Sequence, residues 1–168
     1  MSGIFISYRR HDSQSAAGRL TDYLERYFGA EQIFRDVETI EPGVDFVQAI
    51  EKAIASSQVM LVVIGPRWLN ITDDQNQRRL DKPDDWIRIE TKLALQRNIR
   101  VIPVLVENAQ PPTMDALPDE IKSLARREAH ELSDKRWDYD VQCLIEALEK
   151  IPGIRRKVQA TTFSQNAP

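Results

Sequence analysis

Six consecutive residues, Val59-Met60-Leu61-Val62-Val63-Ile64, are apolar, and Gly65-Pro66 ends the run. No polar residue alternates within it, so whatever forms there is covered on both faces. A central parallel strand flanked by helices has this pattern, whereas a strand with one wet face would alternate. Arg100 to Val106 is a second strand candidate of the same buried kind. Parallel strands need long crossover connections, usually helical, and this constrains how the rest of the chain is read.

The intervening segments supply those crossovers. Ile4 to Tyr8 is a strand candidate, and Ser13 to Phe28 carries Ala16, Ala17, Leu20, Leu24 and Tyr27 at helical spacing, with Ser13 or Ser15 as cap. Gln32-Ile33-Phe34 is a short strand leading into Arg35-Asp36, and Val37 to Gly43 is a loop with Pro-Gly turn punctuation. Asp45 is placed to cap a helix with Phe46, Ala49, Ile50, Ala53 and Ile54 on one stripe. Residues 67–83 form a long polar connection, a length more often functional than mere packing. A helix is expected from Asp84 to about Asn98, with Ile89, Leu93 and Leu95 available for the core. Residues 107–118 read as a Pro-rich loop, Glu120 to Arg127 as a short helix and Ala129 to Leu132 as an edge strand. Trp137 to Glu149 is a helix with Val141, Leu144, Ile145 and Leu148 in register. Beyond Pro152-Gly153 the periodicity is lost. Strands alternating with helices define an α/β, doubly wound sheet, expected as one domain over residues 1–152, with 153–168 as a disordered tail or linker.

Composition excludes several classes. A chain of 168 residues is one domain with enough length for a full core. The net charge of −3 gives no global attraction to nucleic acid or to an anionic membrane. A single cysteine, Cys143, excludes an intramolecular disulfide and a cysteine-based metal cluster. No apolar run approaches the roughly 20 residues of a membrane span. Met1-Ser2-Gly3 lacks the basic and apolar regions of a signal peptide, so the expected location is cytoplasmic.

In a doubly wound sheet, ligands bind beyond the carboxyl ends of the strands. Those ends are Ser7-Tyr8-Arg9-Arg10, Arg35-Asp36 and Gly65-Pro66. The expected helix after the long connection carries Trp86 and Glu90, four residues apart and so on one face. An aromatic ring above a carboxylate suits a ligand that is part heteroaromatic ring and part sugar. The plainer alternative is a tryptophan at the core edge beside a solvated glutamate. No pair of catalytic carboxylates stands at short spacing, and there is no Gly-x-Gly-x-x-Gly or P-loop, so a typical dinucleotide oxidoreductase is excluded. His11 reads as a surface loop residue and His130 as part of a short strand. Trp68 reads equally as an exposed contact or a core plug, and Trp137 as packing.

Taken in order, these residues resemble the Toll/interleukin receptor (TIR) domain family over about residues 3–150. Phe5-Ile6-Ser7-Tyr8 is similar to its first box, and Arg35-Asp36 with Pro42-Gly43 to its second box and BB loop, with a longer spacing than in many receptor members. Val59 to Gly65 is similar to its central strand, and Trp86 to Glu90 to the Trp-x-x-x-Glu motif of its NAD-cleaving, bacterial-type branch. The resemblance implies a flavodoxin-like, mostly parallel five-stranded sheet with helices on both faces. It implies an NAD+ glycohydrolase that cleaves the nicotinamide–ribose bond and is activated by self-association, with NAD+ as substrate and no cofactor or metal. Glu90 would be catalytic. Ser7, Tyr8, Arg9, Arg10, Asp36 and Trp86 would bind the substrate. Within that set, Trp86 would stack on nicotinamide, Arg9 and Arg10 would hold the pyrophosphate, and Ser7 and Tyr8 would line the pocket. The BB-loop residues Ile40, Glu41, Pro42 and Gly43 would meet another TIR domain, and a sensor domain or protein is a further expected partner. Antiphage defence is an expectation at the level of the family.

Two rival readings remain. A non-catalytic TIR scaffold would pair through the same loop and would not need Glu90 with Trp86. A response regulator of similar plan would need a phosphoacceptor aspartate at the end of a central strand, and Ile64-Gly65-Pro66 offers none.

Overall fold

The structure is a computed structural model that describes residues 3–35 and 41–156. Asp36, Val37 and Ile40 therefore lie outside the described residues. Five strands form one sheet in the order β2-β1-β3-β4-β5: β1 (Ile4–Ser7), β2 (Ile33–Arg35), β3 (Val59–Ile64), β4 (Arg100–Val106) and β5 (His130–Leu132). All four pairings are parallel. Four α-helices connect or follow them: α1 (Arg10–Phe28), α2 (Phe46–Ala55), α3 (Trp86–Gln96) and α4 (Trp137–Glu149). The α/β five-stranded architecture expected from the sequence is the one observed.

The apolar run over β3 is buried at every position, and its side chains alternate between two cores. Val59, Leu61 and Val63 join Ile4 and Ile6 of β1 beneath α1 and α4. Met60, Val62 and Ile64 join Phe5 on the opposite face with Ile50 and Ile54 of α2 and Ile87 of α3. The period-two geometry of a strand splits a continuous apolar run in this way. The chain leaves β1 towards β2 and returns past it to β3, so the order reverses between β1 and β3. A crevice is expected at that switch point, beyond the strands' carboxyl ends.

Several local expectations are corrected. Helix α1 begins at Arg10, not Ser13, which places His11 on a helix rather than in a loop. Ser13 is buried with non-helical dihedrals and caps nothing. Instead the Arg9 carbonyl accepts from the amides of Asp12 and Ser13, and the Asp12 carboxylate accepts from Gly65 N at 2.8 Å and Arg67 N at 2.7 Å. Those two bonds tie the first turn of α1 to the end of β3.

Helix α3 starts at Trp86, not Asp84, with Asp85 as its cap. Its buried stripe is Ile87, Glu90, Thr91 and Ala94, not Ile89, Leu93 and Leu95, which are only partly covered. The stripe has true helical spacing, but one of its members is a carboxylate, so hydrophobicity alone gives the wrong phase. Segment 119–126 is a 3₁₀ helix. Trp68 is a fully buried plug in the long connection, and Leu80 is buried with it. Ile154, expected within the tail, is buried against the α1–α4 core, and the Arg155 carbonyl accepts from Gln32 Nε2 at 2.7 Å. The packed unit thus continues past residue 152. Among the described residues no helix is long and apolar enough to cross a membrane.

Candidate active site

At the carboxyl end of β1, beside the reversal of strand order, lies a cavity of about 400 Å³. That volume is within the range of small-molecule sites. Of the residues singled out in the sequence, Tyr8, Arg9, Arg10, Trp86 and Glu90 line it. Ser7 is not in the wall. It stands behind Glu90, 1% exposed, and its Oγ donates to Glu90 Oε2 at 2.7 Å. This corrects its expected place as a pocket-lining residue: an inward-facing strand residue reaches the helix, not the cavity.

Glu90 is only 4% exposed, although its side chain borders the cavity. A carboxylate so withdrawn from water needs hydrogen-bond donors, and Ser7 is one of them. One turn earlier on the same helix, Trp86 is 39% exposed. The four-residue spacing therefore does what the sequence suggested: ring and carboxylate face one space.

Arg9 departs from its expected role. Its guanidinium is 4% exposed and is held in a two-pronged ion pair by Asp85, Nη1 to Oδ1 at 2.8 Å and Nη2 to Oδ2 at 2.9 Å. A guanidinium bound this way is already matched by a carboxylate fork and is not presented to a ligand phosphate. Arg10, exposed on the first turn of α1, and Arg79, from the long connection, are the other arginines at the cavity. Tyr8 is buried with the Arg35 guanidinium 5.3 Å from its ring centroid.

Phe46 was missed as a site residue, having been read as the start of a core stripe. It is 51% exposed and meets the Trp86 ring edge-on, with centroids 5.5 Å apart and planes at 61°. It opens α2, whose cap Asp45 accepts from Val47 N at 2.9 Å and Gln48 N at 3.3 Å. Phe46 is in the first turn and lines the cavity, and the buried stripe begins only at Ile50. Glu41, Pro42 and Gly43 are exposed just upstream, with Gly43 at φ +87°. Val44 and Val47 are exposed as well. The outer side of α3 is fastened separately: Arg88 and Lys92 both reach Glu120, and these cations, Lys92 foremost, hold its carboxyl below the usual glutamate range. Among the described residues, no three His, Cys, Asp or Glu side chains are grouped as metal ligands.

A parallel sheet with a ring and a buried carboxylate at its switch point defines a small-molecule-sized cavity in an α/β domain. Comparison with known proteins names the class: the TIR domain family profile matches residues 4–145, and the chain belongs to that family. It is similar to the NAD(+) hydrolase sarm1 of Drosophila melanogaster, 28% identical over 151 residues, which cover 88% of this chain and 10% of that protein. It is also similar to the NAD(+) hydrolase tir-1 of Caenorhabditis elegans, 24% identical over 163 residues, 95% of this chain and 15% of that one. The chain thus spans a small part of the length of both relatives. Among solved structures, it resembles the TIR domains of the activated Roq1 resistosome recognising the effector XopQ, with a TM-score of 0.65 at 15% identity, covering 86% of this chain and 98% of that one. A metazoan TIR-STING receptor from C. gigas with 2′,3′-cGAMP shares the fold at a TM-score of 0.51 and 22% identity, over 84% of this chain and 38% of that one.

Proposed function

We propose that this TIR domain is an NAD+ glycohydrolase. The observation that carries the reading is Glu90: a carboxylate withdrawn to 4% exposure, braced by Ser7, on the cavity wall one helical turn from Trp86. The names of the two relatives support the choice of substrate.

In the reaction, the bond between ribose C1′ and the nicotinamide ring nitrogen breaks. Its electron pair leaves with the ring, which was cationic and departs neutral. Positive, oxocarbenium-like charge grows on the ribose, as in glycoside cleavage. Water then bonds to C1′ and releases a proton, giving ADP-ribose. Attack by a nitrogen of the adenine ring in place of water gives a cyclic isomer. A fixed carboxylate beside the sugar stabilises the developing charge without reorganising, and Glu90 fills that role while accepting hydrogen bonds from the ribose hydroxyls. Trp86 offers a face for the nicotinamide ring. Arg10 and Arg79, on the same cavity, suit the pyrophosphate. Self-association through the exposed 41–43 segment is part of the proposal, since Val44, Phe46 and Val47 extend an apolar surface from that segment to the cavity mouth.

That apolar surface equally favours the scaffold reading, in which the domain only pairs with other TIR domains. Nicotinamide release from the purified chain, concentrated and clustered, separates the two. Release that disappears in Glu90→Ala supports the glycohydrolase. No release from the clustered wild type supports the scaffold. Release unchanged by Glu90→Ala removes Glu90 from the mechanism.

A further inference from the structure

Two residues from the end of β1 grip α3 at two points. Ser7 donates to Glu90, and Arg9 forks onto Asp85. The residues are two apart on extended backbone (Arg9 has φ −99° and ψ 119°), so both side chains leave the same side of the chain. Two strand steps span about 6.6 Å. From the cap Asp85 to Glu90 the chain rises about 7.5 Å along the helix axis. The two lengths match, and the pairing runs antiparallel, the later strand residue meeting the earlier helix residue.

The two points differ in kind. Ser7–Glu90 is one hydrogen bond. The Arg9–Asp85 pair is a buried fork, with side chains 4% and 8% exposed. Asp85 Oδ2 also accepts from Arg88 N at 3.2 Å, so the same carboxylate caps the helix and receives the guanidinium. Arg9 in turn begins α1 through its carbonyl. One ion pair therefore sets the axial position and rotation of α3's first turn against β1 and α1. Removing either partner leaves a buried charge and frees that turn.

We infer that Arg9 and Asp85 are positioning residues, which fix how Trp86 and Glu90 are presented to the cavity. This rests on the glycohydrolase reading for its catalytic consequence, but not for the placement of Trp86. Misplacing a catalytic group by about an ångström costs up to roughly a hundredfold in rate, so a displaced Glu90 lowers kcat while a displaced Trp86 raises KM.

The test is a double-mutant cycle of Arg9→Met and Asp85→Ser in the full chain, the serine keeping a cap acceptor. Nicotinamide release is measured per folded molecule, with folding checked by circular dichroism. Acrylamide quenching of tryptophan fluorescence is the second readout. It reports chiefly Trp86, because Trp68 and Trp137 are 0% and 3% exposed. The expected result is a fall in kcat of about 10- to 100-fold in each single variant, a rise in KM from the displaced Trp86, and a double variant no worse than the single ones. Quenching rises equally in all three. Additive losses, or a wild-type kcat per folded molecule, would overturn the assignment. If the wild type releases no nicotinamide, the glycohydrolase reading falls and quenching decides alone. Equal, non-additive rises keep the pair as the device that sets Trp86, and unchanged quenching removes it.

Discussion

The Ser7 hydroxyl donates to the Glu90 carboxylate across 83 residues of sequence, joining the end of the central sheet's β1 to the second turn of α3. Both groups are nearly fully buried, so the bond is not exchanged for one to bulk water. Glu90→Gln retains size and an acceptor for Ser7 but removes the charge that, in the proposed reaction, stabilises an oxocarbenium-like ribose. NAD+ cleavage is expected to fall by about 100-fold or more, the scale of losing one preorganised electrostatic group. The melting temperature should stay near wild type. A nicotinamide-release assay alongside thermal melts checks both.

Ser7→Ala leaves Glu90 buried with one donor fewer. An unmet hydrogen bond to a buried group costs about 1–3 kcal/mol. Denaturant titration should show a loss of that size, together with a lower cleavage rate.

Phe46 and Trp86 touch edge to face at the cavity mouth. Exposed as both are, their contact is worth at most about 0.5–1.5 kcal/mol. Phe46→Ala is therefore expected to leave stability almost unchanged while raising KM for NAD+, because the ring that flanks Trp86 is gone. Trp86→Ala should raise KM further. Steady-state kinetics of the two variants test the order.

Asp12 and Gly65 form a second clamp. The Asp12 carboxylate takes the amides of Gly65 and Arg67, and a Cβ on Gly65 would lie 2.7 Å from both Asp12 carboxylate oxygens. Gly65→Ala must push Asp12 away, so it and Asp12→Ala break the same bonds. Each should destabilise by about 1–3 kcal/mol, and the double variant by less than the sum. Urea unfolding of the four proteins measures this.

Asp73 is held at a pKa of about 2, below its ordinary 3.8, by the Lys82 ammonium first and then by the Gln77 and Gln75 amides. A carboxyl depressed on folding contributes stability above its unfolded pKa and loses it as pH falls through the folded one. The stability gap between wild type and Asp73→Asn should therefore be constant above about pH 5 and close between about pH 4 and pH 2. Thermal melts across that range test it.

The sheet was legible because β3 is apolar throughout and β4 is apolar after Arg100, and burial on both faces leaves few other solutions. Trp86 and Glu90 were legible because a four-residue spacing fixes a shared helix face whatever the surroundings. The rotation of α3 was not, since its buried stripe includes Glu90, and a rule that buries only apolar residues turns the helix to Ile89 and Leu93. Arg9–Asp85 and Asp12–Gly65 were hidden for another reason: their partners lie 76 and 53 residues apart, with no local pattern to pair them. Phe46 was misassigned because helical periodicity does not say where along a helix the buried stripe begins. Asp36 and Ile40 lie outside the described residues.

One wall of the cavity belongs to a helix that begins immediately after an exposed turn. Glu41 to Val44 close that turn, Asp45 caps, and Phe46 is the next residue, resting on Trp86. A molecule that grips the turn therefore meets the chain within a few residues of the ring that touches Trp86. Thermodynamic reciprocity then applies: by whatever factor that molecule changes affinity for one that lies on Trp86, the second changes affinity for the first. Wherever binding at the turn shifts Phe46, the outer surface and the inner site become one linked binding equilibrium.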